Sequence, residues 1–280
     1  MKRQQKGFGI VEVLIIILVV AIIGFLGWKF IFSSKENTDK QGSMGREQAQ
    51  QTEPDRLIWQ QTATGWQATE PAPECKLQPM LQPPADLAKA TSVLYPGQTR
   101  GGNYKPHGGL RFDNSPDNTV TVTAPIHGYL VRGGSYIAEG EVQYTFDAMN
   151  NCGVMYRVGH LRELPDNLQK IADTWPAPTS NSATHSINPV VFIKQGETLA
   201  TKIGILQTKN TFFDWGVYDY RQENEASKSP AYQSAHAQEK ELSWHAVCWL
   251  RGWLPVNSEA TLARLPAGDP TSGKSSDYCR

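Results

Sequence analysis

Four cysteines and one carboxylate set in an apolar run are the residues whose chemistry stands out first. Cys75, Cys152, Cys248 and Cys279 lie far apart, with no CxxC pair and no Cys/His ladder, which argues against a structural zinc knuckle. An even count of widely spaced cysteines reads as two disulfides formed in an oxidising compartment. Three pairings are open to four cysteines. The expected one joins Cys248 to Cys279, clipping the C-terminal tail, and Cys75 to Cys152, tying an N-terminal strand to the core. An even count also leaves no free thiol as nucleophile, and no G-x-S-x-G elbow presents a serine. The carboxylate is Glu12, the one charge in the run 9–27, which is long enough to cross a hydrocarbon core of roughly 30 Å as a helix. A carboxylate there is expensive in lipid and calls for a partner.

Lys2, Arg3 and Lys6 ahead of the run favour a cytoplasmic N-terminus, and Lys29 and Lys35 beyond it dilute that bias. All four cysteines follow the run, which places the C-terminal part of a single-pass protein outside the cytoplasm. The run exceeds the ~7–15 apolar residues of a secretory signal, and no small-x-small cleavage site follows it. Residues 33–56 are polar and Gln-rich, too poor in apolar groups to order themselves, and read as a disordered stalk. With 27 basic and 27 acidic residues, nothing points to a nucleic-acid partner.

The remaining chain is mainly β. Residues 57–69, with Trp59 and Trp66 around Thr64-Gly65, predict a small hairpin, and a Pro-rich connector follows to residue 93. From 94 to 222, β-branched and aromatic residues between Gly, Asn and Pro turns predict strands at Thr119–Thr123, 128–131, 141–148, 153–158, 190–193, 198–206 and 212–220. A short helix is expected at 166–174, capped by Asp166 after Pro165. In the extension 223–280, helical spacing of Trp244, Trp249 and Trp253 predicts a packing stripe. His127, His185, His236 and His245 show no metal spacing and read as surface or packing residues.

The N-terminus resembles the class III signal of type IV prepilins and pseudopilins: Lys6 and Gly7 before the cut, Phe8 after it, and Glu12 within G-F-G-I-V-E-V-L. Gly9 departs from the family's usual G-F-T-L-I-E. The resemblance implies cleavage between Gly7 and Phe8 after a basic leader, 1–7, and a transmembrane helix over 8–32. It also implies that Glu12 neutralises the freed amine of a neighbouring pilin-like subunit.

Five segments between 94 and 221 resemble, in order, the M23 (LytM-type) zinc endopeptidase domain, which cuts peptidoglycan cross-bridges. They are PHGGLRFD (106–113), APIHGYLV (124–131), YRVGHL (156–161), VFIKQGETLATKIG (191–204) and FFDWGVYDYR (212–221). The resemblance implies a duplicated-hybrid-motif or barrel-sandwich-like β domain. In that family two histidines and an aspartate hold zinc, and the metal lowers the pKa of a bound water to roughly 7. His107 keeps the first position, but Arg111, a cation, stands where the aspartate belongs, and the final strand has no histidine. An active version needs His107, Asp113 and Asp214 as ligands, with the strand bulging at Gly108–Gly109 to bring Asp113 in, and His160 as general acid/base. Otherwise the histidines are relics in a groove that still binds through nearby Tyr104, Tyr144, Tyr156 and Trp215.

The leading expectation is therefore an inactive M23-like envelope module, without cofactor, that binds peptidoglycan or another envelope protein. The alternatives are an altered zinc endopeptidase and a minor pilin-like subunit of a type IV pilus or type II secretion system. A swinging-arm carrier domain shares the barrel signals but needs a lysine at a hairpin tip between apolar residues, and none occurs.

Overall fold

In Thr119–Thr123 both valines are buried and Thr119 and Thr121 face solvent, the period-two pattern of a strand with one face on a core. The computed structural model describes residues 56–279 apart from Leu77, all within one unit, Glu53–Arg280. The leader, Gly7, Phe8, Glu12, the expected span 8–32 and the stalk to residue 55 lie outside the described residues. Among the described residues no helix is long and apolar enough to cross a membrane.

The described chain is mainly β, with four short α-helices. Its strands are β1 (Trp59–Thr62), β2 (Gly65–Ala68), β3 (Ser92–Leu94), β4 (Gln98–Arg100), β5 (Asn103–Lys105), β6 (Gly108–Arg111), β7 (Thr119–Thr123), β8 (Gly128–Ala138), β9 (Glu141–Met149), β10 (Val154–Glu163), β11 (His185–Ile193), β12 (Thr198–Ile203) and β13 (Phe212–Asp219). The helices are α1 (Asp166–Ala172), α2 (Pro230–Ala235), α3 (Lys240–Ser243) and α4 (Val256–Arg264). A nine-stranded sheet runs β11-β8-β9-β10-β13-β6-β3, with β12 bridging β10 and β7; β1-β2 and β4-β5 are separate hairpins.

The expected strands form, several of them longer than their sequence signals. The strand expected over 128–131 runs on through Gly133 and Gly134 to Ala138 as β8. A Cβ at Gly133 would lie 2.5 Å from the Trp175 ring and one at Gly134 2.4 Å from the Ala183 carbonyl, so these glycines serve close packing. Helix α1 starts on Pro165 as N-cap, with no side-chain cap bond, and Asp166 is its first helical residue rather than its cap. The tryptophan stripe is not helical, because Gly252 at φ 76° and Pro255 break the chain between α3 and α4. Trp249 and Trp253 are nevertheless buried in the main core.

Two cores follow from the alternation. Leu110, Phe146, Val158, Phe213 and Trp215 point into the main one. Tyr129, Met149, Met155 and Tyr218 point the other way, under β1-β2 and the C-terminal residues. On that second face Asp147 is fully buried between two arginines, its carboxylate taking Arg157 Nε at 2.6 Å and Arg132 Nε at 3.0 Å. Arg132 continues to Glu241 at 2.7 Å, and Glu241 accepts from Trp66 Nε1 at 3.1 Å, so one ion network fastens sheet, hairpin and α3. Cys75–Cys152 and Cys248–Cys279 are the two disulfides, the pairing expected from the sequence.

Candidate functional site

The site begins with a register. Asp214 in β13 lies opposite Gly109 of β6 on one side and Gly159 of β10 on the other. Neither glycine can be replaced freely: a Cβ at Gly109 would lie 2.4 Å from the Phe213 carbonyl, and one at Gly159 2.7 Å from Thr145 Oγ1. With no side chain on either flank, the Asp214 carboxylate can reach across its neighbours. His107 approaches from the residue just before β6, and His160 from β10.

His160 sits at a bulge. There β10 leaves β13 and takes β12 as partner, with the register shifting between Val158 and Leu161 against β9. Its backbone is left-handed, φ 58°, a conformation costly for a side-chain-bearing residue and concentrated at functional positions. The bulge lifts the imidazole out of the ladder and aims Nε2 at Asp214 Oδ2, 3.5 Å away. The Phe212 ring (4.3 Å between centroids) and Tyr136 (5.8 Å, edge-on) fix the imidazole from its sides.

His107 Nε2 lies 3.1 Å from the same oxygen. The contact is an ion-pair approach outside hydrogen-bond alignment, and both His107 nitrogens and His160 Nδ1 are buried without a hydrogen-bond partner. Burial alone would raise the Asp214 carboxyl, but His107, His160 and Arg100 outweigh it and hold the group well below the usual carboxylate range. Burial pushes His160 down, with the charges of His107 and Lys105 adding to it against the pull of Asp214. The cluster thus pairs an ionised carboxylate with a His160 imidazole biased towards neutrality. Such a set can accept and donate hydrogen bonds to a polar ligand and hold a proton between imidazole and carboxylate.

Of the residues singled out in the sequence, His107, His160 and Asp214 come together. Asp113 does not: it takes Arg111 NH2 at 2.7 Å and the Thr91 hydroxyl at 2.9 Å. The bulge needed to bring it inward is absent, because Gly108 and Gly109 pair in register with Trp215 and Asp214. Tyr156 and Trp215 point into the main core and cannot stack on a ligand. Tyr144 packs against that core, and Tyr104 stacks on His236 at 3.7 Å. Two residues were missed. Arg100 donates to the His107 carbonyl at 3.1 Å, and its place on a two-glycine hairpin gave no signal of that reach. Tyr136 is reached only by the extension of β8.

With Asp113 held elsewhere, two imidazoles and one carboxylate remain, and among the described residues no group of three or more His, Cys, Asp or Glu is arranged to hold a metal ion.

No protein-family model matches the chain, and no curated protein matches it either. A solved structure of Helicobacter pylori Csd3, from an orthorhombic crystal, is similar at a TM-score of 0.34 and 12% identity. The match covers 67% of this chain and 40% of that one, so this chain spans well under half of its neighbour's length.

Proposed function

We propose that this chain is an extracytoplasmic envelope module, carried on its N-terminal apolar run, whose Asp214–His107–His160 cluster binds a polar component of the cell wall. The observation that carries this reading is the convergence of two imidazoles on one ionised, partly buried carboxylate, with His107 Nδ1 and His160 Nδ1 buried and unpartnered. Buried polar atoms are ordinarily satisfied, and a cluster of unsatisfied ones at a left-handed bulge is what a ligand-binding position looks like before its ligand arrives. The five segments resembling a wall-cleaving endopeptidase favour peptidoglycan as the source of that ligand. The prepilin-like Gly7-Phe8…Glu12 pattern favours a membrane anchor, compatible with a place beside pilin-like subunits.

Retention on purified sacculi tests the reading. The full-length chain is expected to co-sediment with them, and Asp214→Asn and His107→Ala to lose most of that retention while remaining cooperatively folded. Equal retention of all three proteins, or of none, overturns it. Zinc analysis of the same samples separates the enzyme alternative: one equivalent that disappears in His107→Ala would restore the endopeptidase reading.

A further inference from the structure

The chain on either side of His107 is held from outside, and a single covalent bond closes the hold. Residues 269–279 run along the β4-β5 hairpin. Gln98 Nε2 donates to the carbonyls of Gly273 at 3.0 Å and Ser275 at 2.8 Å, and the Asp277 N–H to Gly97 at 3.0 Å. Tyr278 ends this tail. Its ring lies 2.8 Å from where a Cβ on Gly97 would stand, and its hydroxyl donates to the Pro106 carbonyl at 2.6 Å, one residue before His107. The next residue, Cys279, is bonded to Cys248. Cys248 in turn precedes Trp249, which packs on Trp215 at 4.1 Å and lies 2.9 Å from where a Cβ on Gly108 would stand, one residue after His107. The bridge therefore joins two segments that touch the residues on either side of His107 in the chain, Pro106 and Gly108.

We propose that Cys248–Cys279 is a redox latch that holds His107 against Asp214 and releases it on reduction. The proposal rests on the reading of His107, His160 and Asp214 as the site. Cys248 lines one cavity of about 240 Å³ and Cys279 another of about 240 Å³. Arg251 lines both. The co-reactant is a dithiol. Its thiolate attacks one sulfur, the S–S bond breaks, a mixed disulfide forms and the other cysteine leaves as a thiolate that takes up a proton. The dithiol's second thiol then displaces the first cysteine. The protein gains two electrons and two protons, and the dithiol leaves as a disulfide.

The test titrates the full-length chain with dithiothreitol, reading each cysteine by alkylation and mass spectrometry and the histidine rings by NMR. The His107 and His160 signals are expected to move in step with the opening of Cys248–Cys279, whatever the state of Cys75–Cys152, with His185 unmoved. A Cys248→Ser/Cys279→Ser variant should show the reduced histidine spectrum without reductant, and Tyr278→Phe should give part of the shift with the bridge intact. Movement of His107 that follows Cys75–Cys152 instead, or opening of Cys248–Cys279 without movement of His107, overturns the latch. Retention on sacculi, read on the same samples, should fall on reduction. If no sample binds while the histidine signals still respond, the function reading fails and the latch stands.

Discussion

Asp147 and Asp214 lie on the same face of the same sheet, with the single strand β10 between theirs, and their partners could hardly differ more. Asp147 is sealed from solvent and gripped by the guanidinium forks of Arg157 and Arg132. Asp214 retains 19% side-chain exposure and has two imidazoles approaching one oxygen, neither forming a well-aligned hydrogen bond. A guanidinium is charged at every accessible pH and matches a carboxylate in a fixed plane. An imidazole can lose its charge and can turn a second nitrogen elsewhere. Identical side chains thus divide into scaffold and site according to which cation evolution put beside them.

The sharpest way to break that contrast is to remove each acid in turn. Asp147→Ala leaves two buried guanidiniums without their carboxylate, and unfolding by denaturant should show a loss of about 3–5 kcal/mol. Asp214→Asn should cost about 1 kcal/mol or less, since the imidazoles can stay neutral beside an amide. Comparable losses at the two positions would erase the distinction.

Acid unfolding should separate them next. The folded pKa of Asp214 lies below its unfolded value, so its stabilising contribution is complete above about pH 4 and disappears as the pH falls from there. His160 and His127 are also depressed, by burial, so the unfolded chain takes up their protons first and stability declines as the pH drops below about 6.5. A two-limbed curve is expected from equilibrium unfolding across pH 3 to 8, and His160→Gln should flatten the upper limb. An unchanged upper limb in that variant would remove His160 from the account. The smallest effect is conformational: His160→Gly relieves the left-handed backbone and should add about 0.5–1 kcal/mol, offset by lost contact with Phe212, while abolishing ligand retention. A His160→Gly variant no more stable than His160→Ala, which loses the same ring, would mean the bulge carries no strain.

Much of this was legible in the chain. The TVTVT alternation marked β7, and the Phe212-Phe213-Asp214 spacing put Asp214 at the site. The same period-two rule, followed one residue further, would have turned Trp215 away from the groove, since Phe213, Trp215 and Val217 form one buried row. Gly108-Gly109 misled because glycine signals a bulge and a close approach alike, and only the packing of Leu94, Phe213 and Trp249 around them decides which. Arg100 and Tyr278 were unreadable for a plainer reason. Tyr278 acts on a backbone carbonyl 172 residues away, and such contacts leave no periodicity behind.

The Cys75–Cys152 bridge has a mechanical meaning if the chain is held from its N-terminal side. A pull at Arg56 loads the β1-β2 hairpin first, against its bonds to Asn151 through the Ile58 N–H and Trp59 Nε1 and to Glu241 through Gln61 and Trp66. The 19 residues from Arg56 to Cys75 can then pay out about 65 Å of chain. At Cys75 the extension stops, because the next element in line is a covalent bond to the turn that opens β10. The hairpin is slack that can be spent, and the strand carrying His160 is where the load comes to rest.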